Sequence, residues 1–447
     1  MYPPKSPLGK KTPNLWHLLT KVRRNALELI PQAATEDAFI SGKTASQPWH
    51  MLMEPSMLAH VTDTNYTNYP RSDLIKSVLR PAIGNGFFLS EGDRWLWQRR
   101  AAAPALGKRF IERLRPSITD TAEQLCHRLS QNGSQPLNIY AEAIGATFDL
   151  VCRALFSDVD AVNREAMESA FSNYVSSSIG SSMLQAVGLP KWISKILPTN
   201  NPAQKMHDVL EQIIEDRKTN GPLDKPDMLD QLLAARHPNS SAPMDTTDLR
   251  DNLLTFMIAG HDTTALTLAW ALYLCAYDTS VQNDLRNEAN SQLAWINSTN
   301  VDPNALPFSE KVVSETLRLY PPAAISSRTA QADDILGPLN IKKGDLVLLP
   351  TYALHRHKQY WEAPDAFRPQ RFEKNKTLDQ LIYMPFGNGP RSCIGAQLAT
   401  TEIKIILSTL VSRFQFSTVV DRIPQPVLKL TLHPKDGIFL NVSAVTQ

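Results

Sequence analysis

From about residue 90 to 290 the apolar positions recur mostly at helical spacing, interrupted by turn clusters such as SQNGSQP and RHPNSSAP. The most sustained run lies just after Asp245 and reads TTDLRDNLLTFMIAGHDTTALTLAWALYLCAYD. It predicts a helix from Thr246 to Tyr277, with Asp245 or Thr246 as N-cap and acids in the first turn. Such a helix is about 48 Å long, and because it is apolar on most sides it is expected to be central. Strand-like alternation lies elsewhere. LNIKKGDLVLLP reads as a hairpin, VLKLTLHPKDGIFLNV as two runs joined by a turn at Pro434 to Gly437, and PWHMLMEP near residue 50 as a strand. The pattern predicts a mainly α fold with a small β-rich region. Helices are expected over about 90–320 and 390–415, and strands over about 45–60, 325–350 and 427–443.

Composition changes this picture little. Of the 447 residues 43% are hydrophobic and 20% charged, the balance of a chain that buries a core. No repeat, low-complexity tract or Gly/Ser linker marks a boundary, so 1–447 reads as a single domain. A net charge of +2, from 46 basic and 44 acidic side chains, gives no electrostatic reason to expect nucleic acid. The amino-terminal stretch is punctuated by prolines and lysines and never offers the roughly 20 apolar residues that a bilayer span needs. No integral membrane anchor is expected from it, and Trp16 to Leu29 reads as a solvated helix. Cys126, Cys152, Cys275 and Cys393 are widely spaced, with no C-x-x-C, which fits a reducing cytoplasm and argues against zinc.

One of those cysteines has unusual company. FGNGPRSCIG, Phe386 to Gly395, surrounds Cys393 with three glycines, a proline and an arginine two positions away. A buried structural cysteine needs only apolar neighbours. A flexible loop with a fixed positive charge suits a thiolate, the form that binds metals, and a lone Cys thiolate is one of the known axial ligands of haem. In the middle of the long helix stands AGHDTT, Ala259 to Thr264. Gly260 weakens the helix and a Thr hydroxyl can bond a carbonyl one turn back, so a distorted groove is expected there. An acid beside an alcohol, Asp262 with Thr263, can relay protons.

With these motifs in hand the resemblance to the cytochrome P450 family becomes specific. FGNGPRSCIG matches its F-x-x-G-x-R-x-C-x-G signature through Phe386, Gly389, Arg391, Cys393 and Gly395, and AGHDTT resembles its oxygen-activation motif. SETLRLYPP supplies the Glu315 and Arg318 of E-x-x-R, FRPQRF supplies Arg371, and DRWLWQRR matches W-x-x-x-R through Trp95 and Arg99. The order of these motifs is the family's order. The resemblance implies haem b held between the long helix and the Cys loop, with Cys393 as iron ligand. Phe386, Gly387, Gly395, Ala259 and Gly260 would lie against the macrocycle, and Trp95, Arg99, Arg328 and Arg391 would hold the propionates. Asp262 and Thr263 would serve oxygen activation, while Glu315, Arg318 and Arg371 would be structural. His261 fills a variable position and is expected to pack.

The implied reaction inserts one oxygen atom of O2 into a hydrophobic small molecule, using two external electrons. The segment after Cys393 is too short for a flavin or iron–sulfur domain, so the expected partners are a ferredoxin or flavodoxin with its NAD(P)H reductase. Arg94, Arg99, Arg100, Lys108 and Arg109 offer a basic face for an acidic carrier. All this resembles a soluble, cytoplasmic, bacterial-type enzyme. The substrate pocket is expected from Ser77 to Leu89, Phe171 to Leu197, Phe256, Met257, Ala323 to Ser326 and Lys435 to Gly437, with SSMLQAVGLPKWISKILP as a lid. A peroxygenase, an isomerase or dehydratase, and a haem sensor or electron carrier are the rival functions. None of them calls for an acid–alcohol pair beside an open helix groove.

Overall fold

The longest element of the computed structural model is the helix Thr246–Tyr277, with the bounds that the periodicity predicts. The carboxylate of Asp245 accepts the backbone N–H of Asp248 at 2.7 Å and caps it. Every residue from Thr264 to Ala276 is buried, so the second half of this helix is core on all sides. Between its first turns and Tyr277, burial relaxes over 258–263, the stretch that contains the acid and the alcohol. The structure describes residues 2–10, 24–44, 47–131, 133, 135–157, 167, 171, 202–292, 303–373 and 380–445. The expected lid, and the 171–197 segment apart from Phe171, lie outside the described residues, as does Trp16. Of the helix expected there, Ala26–Leu29 is a single 3-10 turn.

The chain divides into two compact units. One comprises 71–114 and 147–262 and is built of helices, among them Asp73–Ile83, Gly92–Ala102, Pro202–Asn220, Met228–Ala234 and the first half of the long helix. Within it Arg217, buried, bonds Asp227 at 3.0 Å and Asp230 at 2.8 Å, and those two acids form the capping box of Met228–Ala234. Buried charges persist because each is paired. The loop after Asp73–Ile83 is held by the long helix. Asp251 accepts the N–H of Asn85 at 2.8 Å and Asn252 that of Phe87 at 2.9 Å.

The other unit comprises 1–70, 115–146 and 263–447 and carries all the described strands. In chain order these are β1 (Phe39–Thr44), β2 (Gln47–Leu52), β3 (Leu137–Asn138), β4 (Ser326–Thr329), β5 (Asp334–Leu336), β6 (Leu339–Ile341), β7 (Leu346–Leu349), β8 (Phe414–Thr418), β9 (Pro426–Leu428), β10 (Leu432–Pro434) and β11 (Phe439–Ala444). The main sheet runs β1-β2-β7-β4, with β2 parallel to β7 and the other pairs antiparallel. The strand near residue 50 is β2, as predicted. Two hairpins are redistributed. In LNIKKGDLVLLP, β6 pairs with β5 while β7 pairs with β2 and β4, because Lys342 to Asp345 carries the chain from one sheet to another. In the C-terminal run the hairpin is β9 with β10, and β11 pairs instead with β3 and β8. Alternation reports which positions face inward, and the partner is set by distant strands.

Arg318, on the helix Pro307–Leu319, ties several segments of this unit together. It is fully buried, and so is Glu315 one turn before it. Its Nε and one Nη grip the Glu315 carboxylate at 2.7 and 2.8 Å. The remaining guanidinium hydrogens go to the carbonyls of His355 at 2.8 Å, Pro364 at 2.6 Å and Ala366 at 3.0 Å. All five donors of the guanidinium are thereby used. The same Glu315 oxygen accepts the N–H of Arg368 at 2.9 Å and Nε of Arg371 at 3.2 Å. A structural role is expected for Glu315, Arg318 and Arg371, and this geometry is structural.

His355 extends the network. It comes directly after the short helix Thr351–Leu354, and its Nε2 accepts the N–H of Met384 at 3.0 Å. Burial first, then Arg318 and Arg356, pushes the imidazole down to about 3, so the ring is neutral and its lone pair is available. Since the unfolded chain binds a proton below about pH 6.5 and the folded chain does not until about pH 3, His355 favours folding fully above that window and less as pH falls through it. His355→Gln, which keeps an acceptor without a titrating group, should flatten the acid side of a stability–pH curve read by urea midpoints. Arg318→Lys, with three donors for five acceptor contacts, should cost about 3–5 kcal/mol in urea unfolding. A loss near zero would contradict the arrangement.

Candidate functional site

The cysteine loop belongs to the strand-bearing unit and is closed by its own backbone. Cys393 N–H donates to the Phe386 carbonyl at 2.8 Å, Gly387 N–H to Met384 at 3.0 Å and Ser392 N–H to Gly389 at 3.0 Å. His355, by holding Met384, ties the start of this loop to Arg318. Gly387 and Gly389 have φ of 74° and 68°, in the left-handed region. Gly389 is fixed a second time, since a Cβ there would lie 2.0 Å from the carbonyl oxygen of Thr62. The close approach that demands this glycine is therefore to the turn His60–Thr64. Beside it Asn388 Nδ2 donates to Thr62 Oγ1 at 3.0 Å, and that hydroxyl donates to Leu58 at 2.6 Å. Gly395 lies in the turn before the helix Ala396–Arg413 with a φ of −91°, and a Cβ added to it would meet nothing within 4 Å.

Cys393 is the exposed cysteine of the four. Cys126, Cys152 and Cys275 are buried, and burial pushes the Cys126 thiol up to about 11 and that of Cys275 to about 12, which keeps both neutral. Cys393 lies just ahead of the helix Ala396–Arg413, whose amino-terminal end favours negative charge. Phe386 and Arg391 in the same loop are half-buried. Arg328 is buried on β4, with one Nη on the Ser327 carbonyl at 3.0 Å.

In the helical unit the AGHDTT stretch has a more definite arrangement than its sequence conveys. Ala259 is exposed in the middle of an otherwise buried helix, while Asp262 is half-buried; Thr263, half-buried too, is the first residue of the strand-bearing unit's share of this helix. Gly260 leaves room for Val151, whose Cγ2 would lie 2.9 Å from an added Cβ. The helix is not broken at this glycine, contrary to the looseness expected from it. Its carbonyls are engaged by extra hydroxyls, Thr147 on His261 at 2.9 Å and Thr267 on Thr263 at 2.8 Å. His261 packs as expected. Its Nδ1 donates to Met257 at 3.0 Å, and its ring stands edge-on to Phe148 and Phe171 at 6.0 and 5.0 Å. Burial lowers its pKa and keeps it neutral.

Trp95 is buried and Arg99 half-buried on Gly92–Ala102. That helix is fastened to the first turn of the long one, where Asp248 accepts from Arg94 and, at 3.3 Å, from Gln98. Arg94 is thus engaged in structure, whereas Arg100, Lys108 and Arg109 are exposed and Arg99 half-buried. Of the expected pocket residues, Phe87 and Phe256 meet at 4.9 Å and Ala323 is exposed, but Met257 is fully buried and belongs to the core. His355, Thr62, Asp251 and Asn252 went unread in the sequence. Their partners lie far away along the chain, and no local spacing announces them.

These residues suit a haem. Cys393 is exposed on a loop with two left-handed glycines, and the flank of Gly395 is open. Among the described residues no group of three or more His, Cys, Asp and Glu side chains could hold a metal ion. Among them, too, no helix is long and apolar enough to cross a membrane.

Comparison with known proteins agrees with this geometry. The chain is 28% identical over 427 residues to carotene epsilon-monooxygenase, chloroplastic, of Arabidopsis thaliana, covering 88% of this chain and 77% of that protein. It is 30% identical over 398 residues to cytochrome P450 4A11 of Homo sapiens, covering 83% and 76%. The crystal structure of the cytochrome P450DA haem domain superposes with a TM-score of 0.83 at 23% identity, over 99% of this chain and 98% of the other, a likeness of fold. The family model for cytochrome P450 matches residues 6–441, and the chain belongs to that family.

Proposed function

We propose that this P450 monooxygenase inserts one oxygen atom of O2 into a hydrophobic small organic molecule, by hydroxylation or epoxidation, with electrons from a ferredoxin or flavodoxin and its NAD(P)H reductase. The observation that carries the reading is the exposed Cys393 in its backbone-closed loop, within a family match that spans 6–441. The family's cofactor is haem b, which when bound supplies the electron-transfer and dioxygen chemistry. Cys393 would give the axial thiolate. Trp95, Arg99, Arg328 and Arg391 carry donors only, suited to propionates, and Phe386, Gly387, Gly395, Ala259 and Gly260 would shape the ring's seat. The Asp262 carboxyl and Thr263 hydroxyl would hold and pass protons toward the oxygen being reduced.

The substrate class rests on the apolar surroundings of Phe87 and Phe256, buried and in contact. The relatives' names point to varied hydrophobic skeletons, a carotene in one case and taurochenodeoxycholic acid, in the 6 alpha-hydroxylase of Sus scrofa, in another. An external electron donor is what membership of the family supports. Exposed Arg100, Lys108 and Arg109 would meet an acidic one. Three buried cysteines, none disulfide-bonded, favour a reducing cytoplasm. The relatives named here come from a plant and mammals, and lend no weight to a bacterial origin. One haem domain over 1–447 remains the economical organisation.

The first measurement is the spectrum of the dithionite-reduced protein with carbon monoxide. A strongly red-shifted Soret band that disappears in Cys393→Ser is expected; its absence from folded native protein would remove the assignment. With reduced carrier and O2, Thr263→Ala should keep that band while product per electron pair drops by about a hundredfold or more if its proton transfer is as strong as general acid catalysis usually is. Unchanged coupling would take the proton role away from Thr263.

A further inference from the structure

Where the AGHDTT stretch ends, a row of oxidisable rings begins. Thr263, Thr267 and Trp270 stand at i, i+4 and i+7 on the long helix, and Trp270, Tyr273 and Tyr277 continue at i, i+3 and i+7. One helix face thus leads from the proton-relay alcohol to the helix end. Trp270 lies about 10 Å along the axis from Thr263. Its indole stacks on Tyr320, with 3.8 Å between centroids and 10° between planes. Tyr273 is next at 5.9 Å and Tyr277 at a further 6.1 Å. The row reaches the surface at Tyr277, half-buried, whose hydroxyl donates to the Tyr2 carbonyl at 2.8 Å; that of Tyr320 donates to Pro4 at 2.7 Å.

Packing alone does not ask for these residue types. Trp270 is fully buried and its indole N–H has no hydrogen-bond partner among the described residues. An unpartnered buried donor costs about 1–3 kcal/mol, and such a group in a native protein needs a reason. Phe would bury a similar ring without that cost. Burial also raises the hydroxyl of Tyr273 to about 12 and that of Tyr320 well above its ordinary value, so both rings are neutral phenols. What Trp and Tyr offer and Phe or Leu lack is an electron that a strong oxidant can remove.

We propose that Trp270, Tyr320, Tyr273 and Tyr277 form a path that drains oxidising equivalents from the haem pocket when no substrate takes them, an inference that rests on the haem reading above. In each event one electron passes from Trp270 to the oxidant that the monooxygenase reaction generates in the pocket. Tyr320 or Tyr273 refills the indole, and Tyr277 refills that ring, losing one electron and releasing its phenolic proton to solvent. A soluble thiol returns one electron and one proton to Tyr277 and is itself oxidised by one electron. The net result is a pocket oxidant reduced by one electron for each thiol oxidised, with no ring of the path consumed.

The test uses the ferric holoprotein without substrate, mixed with a peracid, freeze-quenched for electron paramagnetic resonance and, in parallel, trapped with a nitroso spin trap for peptide mass spectrometry. The carbon monoxide band is recorded first; a native protein lacking it would overturn the haem reading and the path together. With the band present, the expected result is a tyrosyl signal with trap adducts on Tyr277, and loss of those adducts in Trp270→Phe at an unchanged band. Adducts on Tyr277 of equal yield in native and variant, or native adducts confined to rings outside the row, would overturn the path alone. Where Trp270→Phe does not fold, Tyr277→Phe decides: the path requires adducts to move inward to Tyr273, Tyr320 or Trp270, and an adduct pattern otherwise like the native one refutes it.

Discussion

A carboxylate and a guanidinium removed from water hold much of the strand-bearing unit in place. Desolvating Glu315 and Arg318 is costly, and the pair survives in the interior only because every donor and acceptor has a partner. That requirement reaches outward. To satisfy Arg318, the carbonyls of His355, Pro364 and Ala366 must converge on one plane, and to satisfy Glu315 the chain must bring Arg368 and Arg371 alongside. His355, placed by its own carbonyl, then presents a neutral ring to Met384. The position of Cys393 results from this sequence of obligations, from ion pair to imidazole to loop.

The long helix works by contrast of burial. Its second half is buried on every side from Thr264 to Ala276, while 258–263 is less buried than the residues on either side of it. Gly260 contributes less by weakening the helix than by admitting Val151, and His261 turns its ring into Phe148 and Phe171. Ala259 is the exposed residue of the stretch, while Gly260 and His261 are committed to packing.

Much of this was legible in the sequence, for reasons that differ by element. The bounds of Thr246–Tyr277 could be read because capping and periodicity are local, and Cys393, Asp262, Thr263, Glu315 and Arg318 because fixed spacings carry them. Strand pairing was not: alternation in 339–349 marks two strands without saying that they belong to different sheets. Gly389 was recognised but its cause was not, since the steric demand comes from Thr62, and His355 looked like one more polar residue after a proline.

The contact between Asn388 and Thr62 joins positions 326 residues apart. A ribosome must therefore release nearly the whole chain before the cysteine loop can take its final shape, whatever the amino-terminal segment has already done. Closing so long a loop adds only slowly to the entropy cost, about 0.6 kcal/mol per doubling of length, but such non-local contacts delay folding. The turn His60–Thr64 waits through synthesis as one half of a mould. The final shape of the cysteine loop is thereby placed among the later events of folding, after residues 62 and 388 have met.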